Sequence, residues 1–183
     1  MRRVVAVTVA CMIESIAMAE GESPETRVQE IARAIQVLQP MVSDDRALRL
    51  ADIIVDASDE HSIPPLLVVA VIMRESGFYP AIERLEVFGP QGEIGLMQIM
   101  PNGRGIGMRP EHCSELLEGA DCQIHTGVRL LAVARDLCPE SSARWLAAYG
   151  LGRCPATEDE ARSIRGVRRA IHFLSQITDR VEW

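Results

Sequence analysis

Apolar residues recur along this chain at helical spacing, in segments separated by short polar, proline-marked or glycine-marked turns, and the pattern predicts a mainly helical protein. Val28, Ile31, Ile35 and Leu38 form a first stripe, opened by Ser23 as cap and Pro24 in the first turn and ended by Pro40. Ser43 is placed to cap a second helix, with Asp44 and Asp45 favourable in its first turn and Ala47, Leu48, Ala51, Ile54 and Val55 on its inner face. Asp56 to His61 is polar and reads as a connection. The next run, Leu66 to Met73, has no polar face at all and should be buried on every side. Pro64 and Pro65 suit its first turn and Gly77 the position just past its last. Farther on, Asp121 is read as the cap of a helix carrying Ile124, Val128, Leu131 and Leu137, and Ser141 or Ser142 as the start of one carrying Trp145 to Tyr149. Thr157 and Glu160 read as a capping box for one last stripe, Ile164, Val167, Ile171, Leu174 and Ile177. Arg162, Arg165, Arg168 and Arg169 make its opposite, solvated face.

Composition narrows this to one core: 183 residues at 48% hydrophobic suffice for a single domain and not for two. Residues 1–19 read as an export signal, with Arg2 and Arg3 before the apolar V-V-A-V-T-V-A-C-M-I and a small-residue site at Ala17-Met18-Ala19. That run is too short to span a bilayer, so no stable membrane insertion is expected, and the chain after cleavage would begin near Glu20. Thr8 to Cys11 is a poor lipid-attachment motif. Residues 20–60 read as a helical lead-in to the main domain at 61–183. Cleavage would leave 17 basic and 25 acidic residues, a net charge of −8, which argues against nucleic acid and anionic membranes as partners.

It would also leave four cysteines, Cys113, Cys122, Cys138 and Cys154, and in an exported chain these suggest two disulfides. Three pairings are open. Cys113 with Cys122 and Cys138 with Cys154 is favoured because each pair brackets one local element. A metal site from His112, Cys113, Cys122 and His125 matches no familiar zinc spacing, so neither a metal nor another cofactor is expected.

The candidate chemistry lies where the apolar helix ends. Glu75 falls in its last turn, at the mouth of the core, where partial desolvation and the negative end of the helix dipole both disfavour the anion. A carboxyl group kept protonated is what a general acid needs to protonate a leaving-group oxygen.

The order and spacing of E-S-G-F-Y-P from Glu75, G-E-I-G-L-M-Q-I-M-P from Gly92 and A-A-Y-G from Ala147 resemble the soluble lytic transglycosylases and, more distantly, goose-type lysozymes. The likeness spans about half the chain, residues 63–152. It implies an all-α, lysozyme-like single domain that cleaves the glycan strands of peptidoglycan in the cell envelope, in the periplasm or outside the cell. It also implies Glu75 as acid/base, with Ser76, Glu93, Met97, Gln98 and Tyr149 on the substrate side. The protein is expected to act as a monomer. Wall recycling, opening the wall for an envelope secretion machinery and attack on competitors all stay open as roles, and the alternatives to a transglycosylase are a lysozyme-type muramidase and a non-catalytic wall-binding or assembly module.

Three features depart from the family pattern: a longer link over residues 81–91 without its usual serine, Gln123 in place of asparagine, and Gly150 where asparagine usually follows the tyrosine. A lysozyme would need a second carboxylate about 5–9 Å from the first. Glu83, Glu86 and Glu93 are the candidates, each otherwise a solvated or structural group. Gly92 and Gly95 would let backbone approach a sugar or adopt positive φ, Leu96 and Ile99 should point inward with Gln98 turned elsewhere, and residues 102–110 should form a loop on the groove rim. Phe78 and Trp145 read as core.

Overall fold

The computed structural model describes residues 23–101, 115–139 and 141–178, with the side chains of residues 115 and 142 left aside. The export signal, Cys113, His112 and the 102–110 loop lie outside the described residues. Eight α-helices are seen among them: α1 Pro24–Leu38, α2 Asp44–His61, α3 Pro65–Glu75, α4 Pro80–Glu83, α5 Ala120–Leu137, α6 Ser142–Leu151, α7 Glu158–Ser163 and α8 Arg165–Thr178. A short 3-10 turn, Glu115–Leu117, precedes α5. The only extended pairing among the described residues is a single antiparallel bridge, Ile94 with Ile99. The chain is thus all-α, as its periodicity predicts.

At the centre stands α3. Leu66 through Ile72 are buried without exception, so this helix contributes packing on every side. Each of its buried leucine, valine and isoleucine side chains stabilises the fold by about 1.5–3 kcal/mol. It is covered chiefly by α8, then by α1 and α2, while α5 packs against α2 and α6. The apolar residues of α1 and α2 belong to the same continuous core as those of α3 and α5.

The end of α3 is set by its sequence. Ser76 and Gly77 N–H groups both close onto the Ile72 carbonyl, and the chain turns out of the helix through two left-handed residues, Gly77 (φ 59°) and Phe78 (φ 56°). Glycine takes that conformation freely; for phenylalanine it costs about 1 kcal/mol, more than offset by burying the ring, which is 1% exposed. Gln39, at the end of α1, donates to the Gly77 carbonyl at 3.0 Å and ties the exit to the first helix.

Three local expectations are corrected. Asp56 to His61 is the last part of α2 and not a connection: Ala57 and Ser58 are buried while the acids point to solvent, and the stop comes at Ser62 in a left-handed conformation (φ 52°). Asp121 lies inside the first turn of α5, whose cap position is Gly119, with φ 128°. The stripe from Ile164 to Ile177 is not continuous with the capping box. Thr157 does accept from the Glu160 N–H, but Ile164 is extended (ψ 125°), so the chain breaks there and restarts as α8. The break lets α8 turn Val167, Ala170 and Ile177 onto the core.

Cys138 and Cys154 form a disulfide with Cα atoms 5.7 Å apart, joining the end of α5 to the segment after α6. Cys122 approaches Glu118, and its favoured partner Cys113 is outside the described residues. Replacing Cys138 and Cys154 by serine should cost about 3 kcal/mol, the value for closing a loop of this size in the unfolded chain. The check is urea unfolding of both proteins under oxidising conditions, with the gap vanishing when the parent is reduced.

Candidate active site

Glu75 is the last residue of α3, as Pro65 and Gly77 dictate, and its side chain is 23% exposed. The adjoining Arg74, only 7% exposed, turns its guanidinium onto Glu75 and donates through Nη2 to Oε1. Sequence reasoning missed this neighbour. The signal available was a charged residue in a helix with no polar face, which has to find a partner.

Tyr149 comes to the same place from α6. Burial pushes its phenol pKa well up, the negative charge of Glu75 pushes the same way, and Arg74 opposes both. The Arg74 guanidinium carbon lies 5.8 Å from the centroid of the Tyr149 ring, a cation–π arrangement. The Tyr149 hydroxyl donates to the Met97 carbonyl at 2.8 Å, so α6 is fastened to the loop between Ile94 and Ile99.

That loop is a tight reversal. Ile94 and Ile99 exchange both backbone hydrogen bonds at 2.9 Å, and Gly95 (φ 71°) and Gln98 (φ 50°) make the turn. Leu96 and Ile99 point into the core and Gln98 stays partly exposed, in line with the apolar pattern, whereas Met97, expected on the substrate side, is itself fully buried. The Gln98 amide donates to the Gly95 carbonyl at 2.9 Å, which orients it within its own loop. Met97 lies beneath the loop, packed so closely on Gly127 of α5 that a Cβ there would come within 2.7 Å of its own Cβ.

The buried amide of Gln123 holds the loop from below. It accepts from the Leu96 N–H at 3.0 Å and donates to the carbonyls of Glu83 at 3.1 Å and Leu116 at 3.4 Å. The Gly95 backbone does make a close approach, but to Gln123: a Cβ at that position would lie 2.4 Å from the amide carbon.

Glu75, Tyr149, the Met97 carbonyl and the loop bearing Gln98 are therefore brought together. Ser76 is adjacent, but its hydroxyl turns back to donate to the Ile72 carbonyl at 3.2 Å. The three other carboxylates are all engaged. Burial would raise the Glu83 pKa, but hydrogen bonds and charges from Arg49 and Arg46 outweigh it and hold the group below its ordinary value. Glu86 is exposed and paired with Arg84 at 2.7 Å, and Glu93 accepts from the Gln91 N–H at 2.8 Å. Phe78 and Trp145 are core residues, as read. His125, once weighed as a metal ligand, faces Glu60 at 3.2 Å, Asp56 at 3.6 Å and Asp121 at 3.8 Å. A surface hollow of about 270 Å³ at the start of α1, lined by Ser23, Glu25, Thr26, Gln29 and Arg33, contains none of the candidate residues.

Tyr149→Phe should remove the bond to Met97 and leave that carbonyl partly unsatisfied, costing about 1–2 kcal/mol. Thermal unfolding measures it, and hydrogen exchange at Leu96 to Ile99 should rise while α1 and α2 are unaffected.

No curated protein and no solved structure matches the chain. Residues 52–166, running from within α2 to the start of α8 and including Glu75, the 94–99 loop, Gln123 and Tyr149, match the Transglycosylase SLT domain. The match spans more than half of the sequence, and the chain belongs to the transglycosylase SLT domain family, whose members act on cell-wall peptidoglycan in the manner of lytic transglycosylases.

Proposed function

We propose that this protein is a peptidoglycan lytic transglycosylase that cleaves the MurNAc-GlcNAc β-1,4 bond with Glu75 as its acid and base. The observation that carries the reading is that a family member places one partly exposed carboxylate at the end of its most buried helix, electrostatically coupled to a tyrosine that also anchors the Gln98 loop.

In the first step Glu75 gives its proton to the glycosidic oxygen as the C1–O bond breaks, releasing the GlcNAc end. The substrate's own N-acetyl oxygen stabilises the positive charge at C1, a substrate-assisted course available where no carboxylate nucleophile is present. The Glu75 carboxylate then takes the proton of the MurNAc 6-hydroxyl while O6 bonds to C1. The product is a 1,6-anhydro end, Glu75 is protonated again, and no water is consumed. Gln98 can donate and accept together and suits the N-acetyl group. Tyr149, Ser76 and Glu93 flank it, and Met97 supports the loop from below.

A hydrolase with a second carboxylate is disfavoured because Glu83 is held by two arginines, Glu86 by Arg84 and Glu93 by a backbone N–H. Mass spectrometry of digested sacculi decides between them. Anhydro ends are expected, and reducing ends alone would replace this reading by a lysozyme. The acidic chain, the disulfide and the N-terminal segment support action in the envelope, with glycan strands as the partner.

A further inference from the structure

Arg74 is enclosed to a degree that helix geometry does not require. Successive helical residues project about 100° apart, so an arginine reaches the next side chain only by folding back on itself. Here two other elements hold it folded. The Tyr149 ring of α6 lies against the guanidinium, and α8 begins beside it with Gly166, where an added Cβ would lie 3.6 Å from Arg74 Cδ and 3.8 Å from Nη1. The break at Ile164 is what brings that glycine to the site. Between these two elements the guanidinium Nη2 meets Glu75 Oε1.

We infer that Arg74 is a positioning residue for the acid, fixing Glu75 through Oε1 so that Oε2 carries the catalytic proton. The inference rests on Glu75 being that acid. Among the described interactions, the charged and titratable groups facing Glu75 are Arg74 on its own helix and Tyr149 from α6. What meets Arg74 from α8 is Gly166, which has no side chain, and what α1 brings to the helix exit is the neutral Gln39.

Arg74→Met keeps length and apolar contact without charge, and Arg74→Lys keeps charge without the planar fork. The experiment measures kcat and KM separately on glycan strands, with the Glu75 side-chain carboxyl of the purified protein observed by carbon NMR at a single pH as a report of its surroundings. In Arg74→Met the carboxyl signal should move and kcat should fall about tenfold or more with KM nearly unchanged, the mark of a misplaced acid. Arg74→Lys should recover only part of that loss.

An unchanged kcat in folded Arg74→Met overturns the inference. Should that variant not fold, Arg74→Lys carries the test: a kcat below the parent's at unchanged KM is expected, and a parental kcat overturns the inference. The carboxyl signal makes no reference to catalysis, so its movement in Arg74→Met together with full activity of Glu75→Gln would sink the acid role while leaving the Arg74–Glu75 contact intact.

Discussion

Glu75→Gln should lower glycan cleavage by at least about a hundredfold and up to about ten-thousandfold, the range that a positioned general acid supplies. The amide keeps the shape of the side chain and can still accept from Arg74, so the loss reflects the missing proton. It also withdraws the countercharge from an arginine that is 7% exposed. Breaking a fully buried pair costs about 3–5 kcal/mol. Solvent reaches the 23% exposed carboxyl, and with one hydrogen bond retained the cost here should be nearer about 1 kcal/mol. The variant therefore stays folded, with a Tm lower by about 2–4 °C. Muropeptide release and thermal unfolding on the same preparation test both halves. Unchanged release by folded Glu75→Gln would exclude the acid role outright.

Whether a feature was legible in the sequence depended on whether it is written in one segment or two. The bounds of α3 are local: Pro64, Pro65 and Gly77 act within a turn of themselves, and the helix stands where they put it. Glu75 was found for the same reason. Asp56 to His61 misled because a helix's solvent face and a polar linker have the same composition, and only the burial of Ala57 and Ser58 against other helices separates them. The bend at Ile164 was invisible because the apolar stripe keeps its period across it. Arg74 escaped because spacing rules in a helix concern residues three and four apart, whereas the elements beside its guanidinium, at Tyr149 and Gly166, are remote in sequence. The cysteine pairing 138 with 154 was favoured from sequence because the pair brackets a single helix.

Gly95→Ala should destabilise the fold by about 3 kcal/mol. Two costs add. The position has φ 71°, where a Cβ costs about 1 kcal/mol. The new methyl would also lie 2.4–2.6 Å from three atoms of the Gln123 side chain, which is fully buried and cannot swing into solvent. For the methyl to fit, Gln123 has to withdraw, and its bonds to Leu96, Glu83 and Leu116 go with it, leaving buried backbone groups unsatisfied at about 1–3 kcal/mol. Gly92→Ala is the control. It shares the positive φ, at 87°, but nothing lies within 4 Å of its Cβ, so it should lose only the conformational cost of about 1 kcal/mol. The difference between the two, read from urea unfolding, isolates the packing and hydrogen-bond part. Gln123→Asn, one methylene shorter, should be destabilising alone yet relieve part of the cost of Gly95→Ala, so the double variant should be more stable than the sum of the singles predicts. Simple additivity would mean that the alanine is accommodated by moving the 94–99 loop and not the amide. In that case Tyr149 would lose its hold on the Met97 carbonyl and activity would fall with stability, whereas displacement of Gln123 alone leaves that bond, and the Gln98 amide above it, in place.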